Sequence, residues 1–485
     1  RSEMPVELTL RADGRLPVTR GTGAASEPRR VAGELALDGT IDWREGIAAA
    51  LNYRVGVEGT EGLAPELPDH VAAAGRLSGQ QRGDRLQIDV ASLALEGTGL
   101  LMKLRGQVTD TDTADPSVSV QLDWEGLRWP LASAVPLLRS DAGRISLEGR
   151  TDDYRLALEA SAAGTDLPDS RWSARARGDA GSMLVEVLRG ELLDGWLEAS
   201  GPITFEPRPA WDLRVAAGDI GLAALLPELT APLAAELRTR GRLDAQGNPA
   251  AEIHIDALRS AAAGFPFELD GALQVDGDML HIDRLRLGSG TAELGGDGSL
   301  SARHLDLNWT LSVADAGSFV PGAKGRIDGR GRLSGRPDNP YLATTLTAAE
   351  LAMDELALDS LALELVAGLA DDAPLTARLS LSGLSDQDGP VLDQATLNAD
   401  GRTDDHRLTV AVTAAQGRLN AELEGGLTIA EPLWQGRLLA LAAESDAIGA
   451  WDLKSPSSMT LAAEQLRLQA ACLHRRAGSG HLCLD

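Results

Sequence analysis

The chain has 485 residues, a formal net charge of −27 and only 3% aromatic residues, among them four Phe and three Tyr. So negative a field repels phosphate backbones and offers no Lys/Arg cluster to anionic membranes, so nucleic acid is not expected as a partner and any lipid contact must run through apolar surface. Scarce aromatics argue against the interlocked core of an ordinary enzyme domain, and no run of 18 apolar residues is present to cross a bilayer as a helix.

Strand-like alternation begins at once, at 6–10 (Val-Glu-Leu-Thr-Leu), with no basic start and apolar stretch of a signal peptide before it. The chain is therefore expected to be part of a longer protein whose anchor or targeting segment lies elsewhere. Alternation recurs at 35–37, 86–90, 118–122, 145–147, 155–158, 253–255, 269–275, 280–287 and 408–412. Period-two patterning gives each strand one apolar and one polar face. Asp-Gly, Asn-Pro and Gly-Asp turn signals at a spacing of about 8–12 residues predict an antiparallel meander of hairpins. Helical periodicity is almost absent.

A longer repeat overlies the strands. Trp124, Trp211 and Trp309 each open an alternating strand, 87 and then 98 residues apart. After each comes a short Leu/Ala/Pro segment, at 131–138, 221–229 and 316–321, which reads as one or two helical turns stopped by proline. A Gly-spaced strand follows, at 145–149, 237–241 and 327–331. Trp43, 81 residues before Trp124, is a candidate head for an earlier, shorter copy. The expectation is one continuous repeat-built array over 1–485, with approximate units 1–123, 124–210, 211–308, 309–433 and a Trp- and Cys-containing segment 434–485, and not three globular domains.

An amphipathic sheet of this length must cover its apolar face. The aliphatic composition favours an all-β, single-layer antiparallel sheet folded into an elongated open groove with short rim helices. Such a trough suits acyl chains: at about 0.8 kcal/mol per CH₂, two 16-carbon chains need on the order of 25 kcal/mol of shelter outside a bilayer. The expected lining includes Ile253, Ile255, Leu273, Val275, Leu280, Ile282, Leu311, Val313, Leu408 and Val410. A one-residue slip of register would invert every one of these assignments.

Catalysis finds no foothold. The seven His are scattered, none in His-Glu-x-x-His, and neither a Gly-x-Ser-x-Gly elbow nor a Walker loop is present. No enzyme activity, cofactor or metal is expected. Asp110, Asp112 and Asp115, like Asp386 and Asp388, read as solvated hairpin turns, with a calcium loop as the rival. Trp124, Trp211 and Trp309 read as packing anchors of the repeat, with headgroup or sugar platforms as the rival. Cys472 and Cys483 flank a Gly-Ser-Gly tip, and His474 and His481 each lie two residues from a cysteine. Residues of this kind form either a disulfide or a zinc site.

The last fifty residues run Trp434-Gln-Gly436, then Gly449-Ala-Trp451-Asp-Leu453, an alternating strand at 461–466, and the cysteine hairpin. With Gly335-Arg-Pro-Asp-Asn-Pro340 and Leu225-Leu226-Pro227, this order resembles the central part of TamB-like proteins, in the wider AsmA-like group. The resemblance is specific over 434–483 and extends over the whole chain as pattern. It implies a β-groove in the Gram-negative periplasm, anchored to the inner membrane by an N-terminal helix outside this sequence. It implies phospholipid acyl chains as cargo and a TamA-like outer-membrane barrel as partner, engaged through a C-terminal domain also outside this sequence. For Cys472 and Cys483 it implies the disulfide. The rival reading is a structural or adhesive envelope scaffold with a dry core.

Overall fold

A computed structural model of the chain describes residues 6–18, 29–58, 70–95, 99–113, 115–131, 136–165, 167–223, 225–262, 264–320, 322–368, 370, 372–428, 433–462, 465–469 and 471–484. Among the described residues are 32 strands, joined in antiparallel ladders, each mostly paired with its neighbour in sequence. The all-β antiparallel reading is borne out. Two compact units divide the chain, Arg1–Gly247 and Asn248–Asp485. The first carries β1 (Val6–Val18) through β14 (Leu233–Leu243), the second β15 (Pro249–Ala262) through β32 (His481–Leu484).

Many strands are longer than turn spacing alone predicts; β21 (Asn339–Met353) has 15 residues. A feature that alternation alone hides explains part of this. In β5 (Arg85–Leu95), pairing with β6 (Leu100–Thr109) jumps from Ile88–Gly106 to Ala91–Leu104, so two residues face one. The same step occurs in β11 (Ser182–Leu192) against β12 (Gly195–Thr204), from Val185–Gly201 to Leu188–Ala199. It occurs again in β17 (Met279–Ser289) against β18 (Ala292–Leu300), from Ile282–Gly298 to Leu285–Gly296. Ile88, Val185 and Ile282 are 97 residues apart in both steps. A bulge absorbs one residue, so apolar side chains at i, i+2, i+5 and i+7 stay on one face although the alternation slips phase.

Each bulge is opposed by glycine: Gly106, Gly201 or Gly298. A Cβ on Gly201 would lie 2.1 Å from the Asp212 carbonyl oxygen, and its φ of +142° disfavours any side chain. Two strands beyond each bulged strand stands a tryptophan strand: β7 (Ser117–Trp129), β13 (Ala210–Ile220) and β19 (Leu305–Val313). The sequence period of 87 to 98 residues is thus six strands. Trp43 does not share this place; it stands in the turn after β2 (Arg29–Asp42) and is 54% exposed.

The helical segments are smaller than expected. Positions 132–135, within the first, lie outside the described residues. In the second, the Leu225 and Leu226 N–H groups both donate to the Leu222 carbonyl, at 2.9 and 2.8 Å, a single turn. The third is a 3₁₀ turn, Ala316–Ser318, capped by the Asp315 carboxylate, which accepts from the Gly317 N–H. Segments this short cannot offset the cost of helix nucleation.

Near its end the ladder changes character. One half of β27 (Leu433–Ser445) pairs with β28 (Gly449–Leu453), the other with β29 (Ser457–Ala462). These are halves of one strand interrupted at 454–456, where Pro456 supplies no N–H. The next strand is likewise split, into β30 (Gln465–Leu468) against β29 and β31 (Ala471–Arg475) against β28. β32 pairs with β31.

Candidate functional site: the apolar face

Cross-strand register decides which side chains share a face. Ile253 stands opposite Leu273 on β16 (Phe265–Asp276), Leu273 opposite Ile282, and Val275 opposite Leu280. Leu280 stands opposite Leu300, and Leu300 opposite Leu305. Every second residue of β19 (Leu305, Leu307, Trp309, Leu311, Val313) therefore continues that face. From Leu311 a row runs through Gly329, Leu346, Leu363, Leu379, Leu397 and Val410 to Ala421 and Leu441. It crosses β20 (Lys324–Arg336), β21, β22 (Leu356–Gly368), β23 (Pro374–Asp386), β24 (Gly389–Arg402), β25 (His406–Ala414), β26 (Gly417–Thr428) and β27. The residues Ile253, Ile255, Leu273, Val275, Leu280, Ile282, Leu311, Val313, Leu408 and Val410 all lie on this one face. No charged side chain interrupts the rows traced here.

The first unit repeats the arrangement. Met102 stands opposite Trp124, Leu104 opposite Leu122 and Gly106 opposite Val120, and on the other side Leu122 meets Ile145 and Val120 meets Leu147. Ile145 then meets Leu158, and Leu158 meets Ala174.

This face is not sealed. Of the seventeen buried hydrophobic side chains among the described residues nine are alanine, and no large side chain falls below 2% exposure. Two packed layers would bury their facing Leu and Val side chains almost completely. Here Val313 is buried and the other nine predicted residues are half-buried. The exception is a small cluster of Leu423, Trp434 and Leu438, against which Leu408 and Val410 pack.

On this face tryptophans stand opposite glycine. Trp124 stands opposite Gly143, where a Cβ would come within 2.0 Å of the ring, and Trp309 stands opposite Gly331. Trp211 stands opposite Gly241. Two of the indole N–H groups are satisfied locally: that of Trp124 donates to Ser140 Oγ (2.8 Å) and that of Trp211 to Thr239 Oγ1 (3.1 Å). Trp124, whose ring covers glycine and whose N–H is spent on a neighbour, has the character of a packing anchor. Trp434 donates to Nε2 of buried His406 at 3.0 Å, and His406 Nδ1 lies 2.9 Å from the Arg402 carbonyl. An indole N–H only donates, so Nε2 accepts and Nδ1 carries the proton. Sequence reasoning missed this pair because its partners lie 28 residues apart.

The opposite face carries the charge. Arg332 reaches Asp306 through two hydrogen bonds of 2.7 Å, Arg286 reaches Glu293 at 2.9 Å, and Arg407 reaches Glu422 at 3.3 Å. The Arg332 guanidinium holds the Asp306 carboxyl below the usual carboxylate range. A concavity of about 690 Å³ on this side is lined by charged side chains that include Arg284 and Glu293, and one of about 550 Å³ mixes Arg330 and Glu364 with Ala343 and Val366.

The remaining candidates resolve individually. Asp115 accepts from the Thr151 N–H at 3.0 Å and from Arg150 Nε at 2.8 Å; bonds to Thr151 and Arg150 push its pKa down to about 2. Arg150 also lies 3.6 Å from Asp110. Asp386 accepts from the Asp388 N–H at 2.8 Å. Both groups are turns tied to protein partners. Cys472 and Cys483 are joined by a disulfide, which removes the thiolates that a zinc site would need. Among the described residues no three His, Cys, Asp or Glu gather as a metal-binding group, and no helix is long and apolar enough to cross a membrane.

A family model described as the N-terminal domain of TamB matches residues 99–485. The chain is also similar to the translocation and assembly module subunit TamB of Haemophilus influenzae, with 23% identity over 385 residues. That alignment covers 78% of this chain and 29% of the relative, so the chain matches less than a third of that protein's length. No solved structure matches the chain.

Proposed function

The chain belongs to the family described as TamB, N-terminal domain, and from that premise we propose that its apolar face shelters phospholipid acyl chains during passage between the two membranes of a Gram-negative envelope. The observation that carries the reading is the row from Leu311 to Leu441: nine strands of aligned aliphatic side chains and glycine, free of charge and left half-open. A continuous aliphatic lining gives each CH₂ about the same shelter at every step, so a chain slides along it without a barrier that grows with distance. No bond is made or broken in this role; the protein is a passive conduit and not an enzyme. In the full protein the segment works in the periplasm as part of a translocation and assembly module, with an inner-membrane anchor at one end and a TamA-like outer-membrane barrel as partner at the other.

The test is native mass spectrometry with lipid extraction on the chain purified from bacterial periplasm. Phospholipid is expected to co-purify, and to be lost when Leu280 and Ile282 are changed to Asp in a chain that keeps its β-sheet circular dichroism. A folded, lipid-free chain that also takes up no fluorescent phospholipid would overturn the reading in favour of an envelope scaffold.

A further inference from the structure

We propose that His474 and His481 form a cross-strand chelate for a borderline transition-metal ion, with copper(II) held most tightly. The site is separate from the apolar face and does not rest on the function proposed for it. His474 on β31 stands directly opposite His481 on β32. Two residues along the same strands, and hence on the same face, Cys472 stands opposite Cys483 with Cα atoms 4.0 Å apart. So close an approach marks a non-hydrogen-bonded pair, and such pairs alternate with hydrogen-bonded ones along an antiparallel ladder. The next hydrogen bond beyond the histidines, from the Arg475 N–H to the Gly480 carbonyl at 2.9 Å, confirms the phase. His474 and His481 are therefore also a non-hydrogen-bonded pair, the geometry in which opposed side chains come closest.

Both imidazoles are exposed, and neither makes a hydrogen bond among the described residues. The disulfide fixes the two strands beside them, so little ordering remains to oppose binding. With the thiolates consumed, the site offers two neutral nitrogen donors and open positions for water. Such a set follows the Irving–Williams order, with copper(II) above nickel and zinc. Asp452, directly opposite His474 on β28, is not counted among the ligands, because both its carboxylate oxygens accept from Arg476, at 2.6 and 2.9 Å. The other five histidines supply no such pair: His254 faces Ala272, His281 faces Gln274 and His406 is bound to Trp434.

The experiment is chelator-competition titration of the full, oxidised chain with copper(II) chloride, with electron paramagnetic resonance of the loaded protein. One tight equivalent per chain is expected, with hyperfine coupling from two imidazole nitrogens. His474→Gln and His481→Gln, made separately, should each weaken binding by more than about tenfold and leave one coupled nitrogen, as loss of one arm of a chelate demands. Both positions are exposed, and an unchanged free-thiol assay and circular dichroism spectrum establish that the variants keep the hairpin. Equal affinity and stoichiometry in the parent and both variants would overturn the proposal, as would a parent that binds no copper under competition.

Discussion

The two faces of the sheet obey different rules although they share every strand. On the apolar face, residues as far apart in sequence as Leu311 and Leu441 act as one surface, because each row passes from strand to strand without interruption. On the polar face, each ion pair is local and exposed; Arg332 and Asp306 carry side-chain exposures of 58% and 33%. One face is collective, so a single misplaced charge damages all of it. The other is a set of nearly independent contacts, each screened by water.

The sharpest way to break this comparison uses two neighbouring residues of one strand. Leu346 lies on the apolar row and Thr345 on the polar face, opposite Arg330. Leu346→Asp is expected to reduce retained phospholipid by more than about tenfold, since a carboxylate at hydrocarbon depth costs about 2.5–3.5 kcal/mol. Thr345→Asp should leave it unchanged. Quantitative lipid extraction of the two variants reads the difference, and equal losses would mean that the faces are not distinct in function.

A second prediction concerns where the ladder is weakest. The strands after β27 are split and short, and the disulfide stands at their end. Changing Cys472 and Cys483 together to Ser should destabilise that region by about 3 kcal/mol, the value expected for so short a closed loop. Hydrogen exchange is expected to rise in β30 to β32 and to stay unchanged in β15 to β19. Uniform loss of protection across the second unit would show that the region does not unfold by itself.

The bulges supply a third. Gly201→Ala forces a Cβ against the Asp212 carbonyl at a positive φ and should cost about 1–3 kcal/mol in urea unfolding. Gly247→Ala also places a side chain at positive φ (+87°), but a Cβ there meets nothing within 4 Å, so it should cost less. Equal effects would assign the cost to backbone conformation and not to the close approach at the bulge.

These bulges also mark the boundary of what was legible in advance. Alternation was enough to read strand class, the antiparallel meander and the ten residues that share a face, because period two maps directly onto sheet sides. Residues 280–287 read as a single unbroken alternation, yet the phase slips at Asp283 and Arg284, and a bulge restores Leu285 and Leu287 to the face of Ile282. The clue was present as the 97-residue recurrence of Ile88, Val185 and Ile282, which shows only when the strands are aligned on their phase slip. The Trp434–His406 contact had no such signal, since a hydrogen bond between distant side chains leaves no periodicity. The rim helices were over-read because a Leu/Ala run before proline looks the same in sequence whether it makes one turn or three.

The smallest expected effect lies on the polar face and tests its independence. Arg332→Ala removes two hydrogen bonds to Asp306, but both groups are solvated, so the urea midpoint at neutral pH should match the parent within error. Whatever small trace it leaves should fade in acid. The Asp306 pKa is lowered in the folded chain, chiefly by those hydrogen bonds. A carboxyl of this kind contributes its stabilisation above its unfolded value and loses it as pH falls through the folded one. The ordinary value is 3.8, so parent and variant should agree below the folded value, where both carry a protonated Asp306, and any difference should grow as pH rises through the folded value and be complete above 3.8. A variant that loses stability at neutral pH and spills into lipid retention would mean that the charged face is coupled to the apolar one through the strands they share.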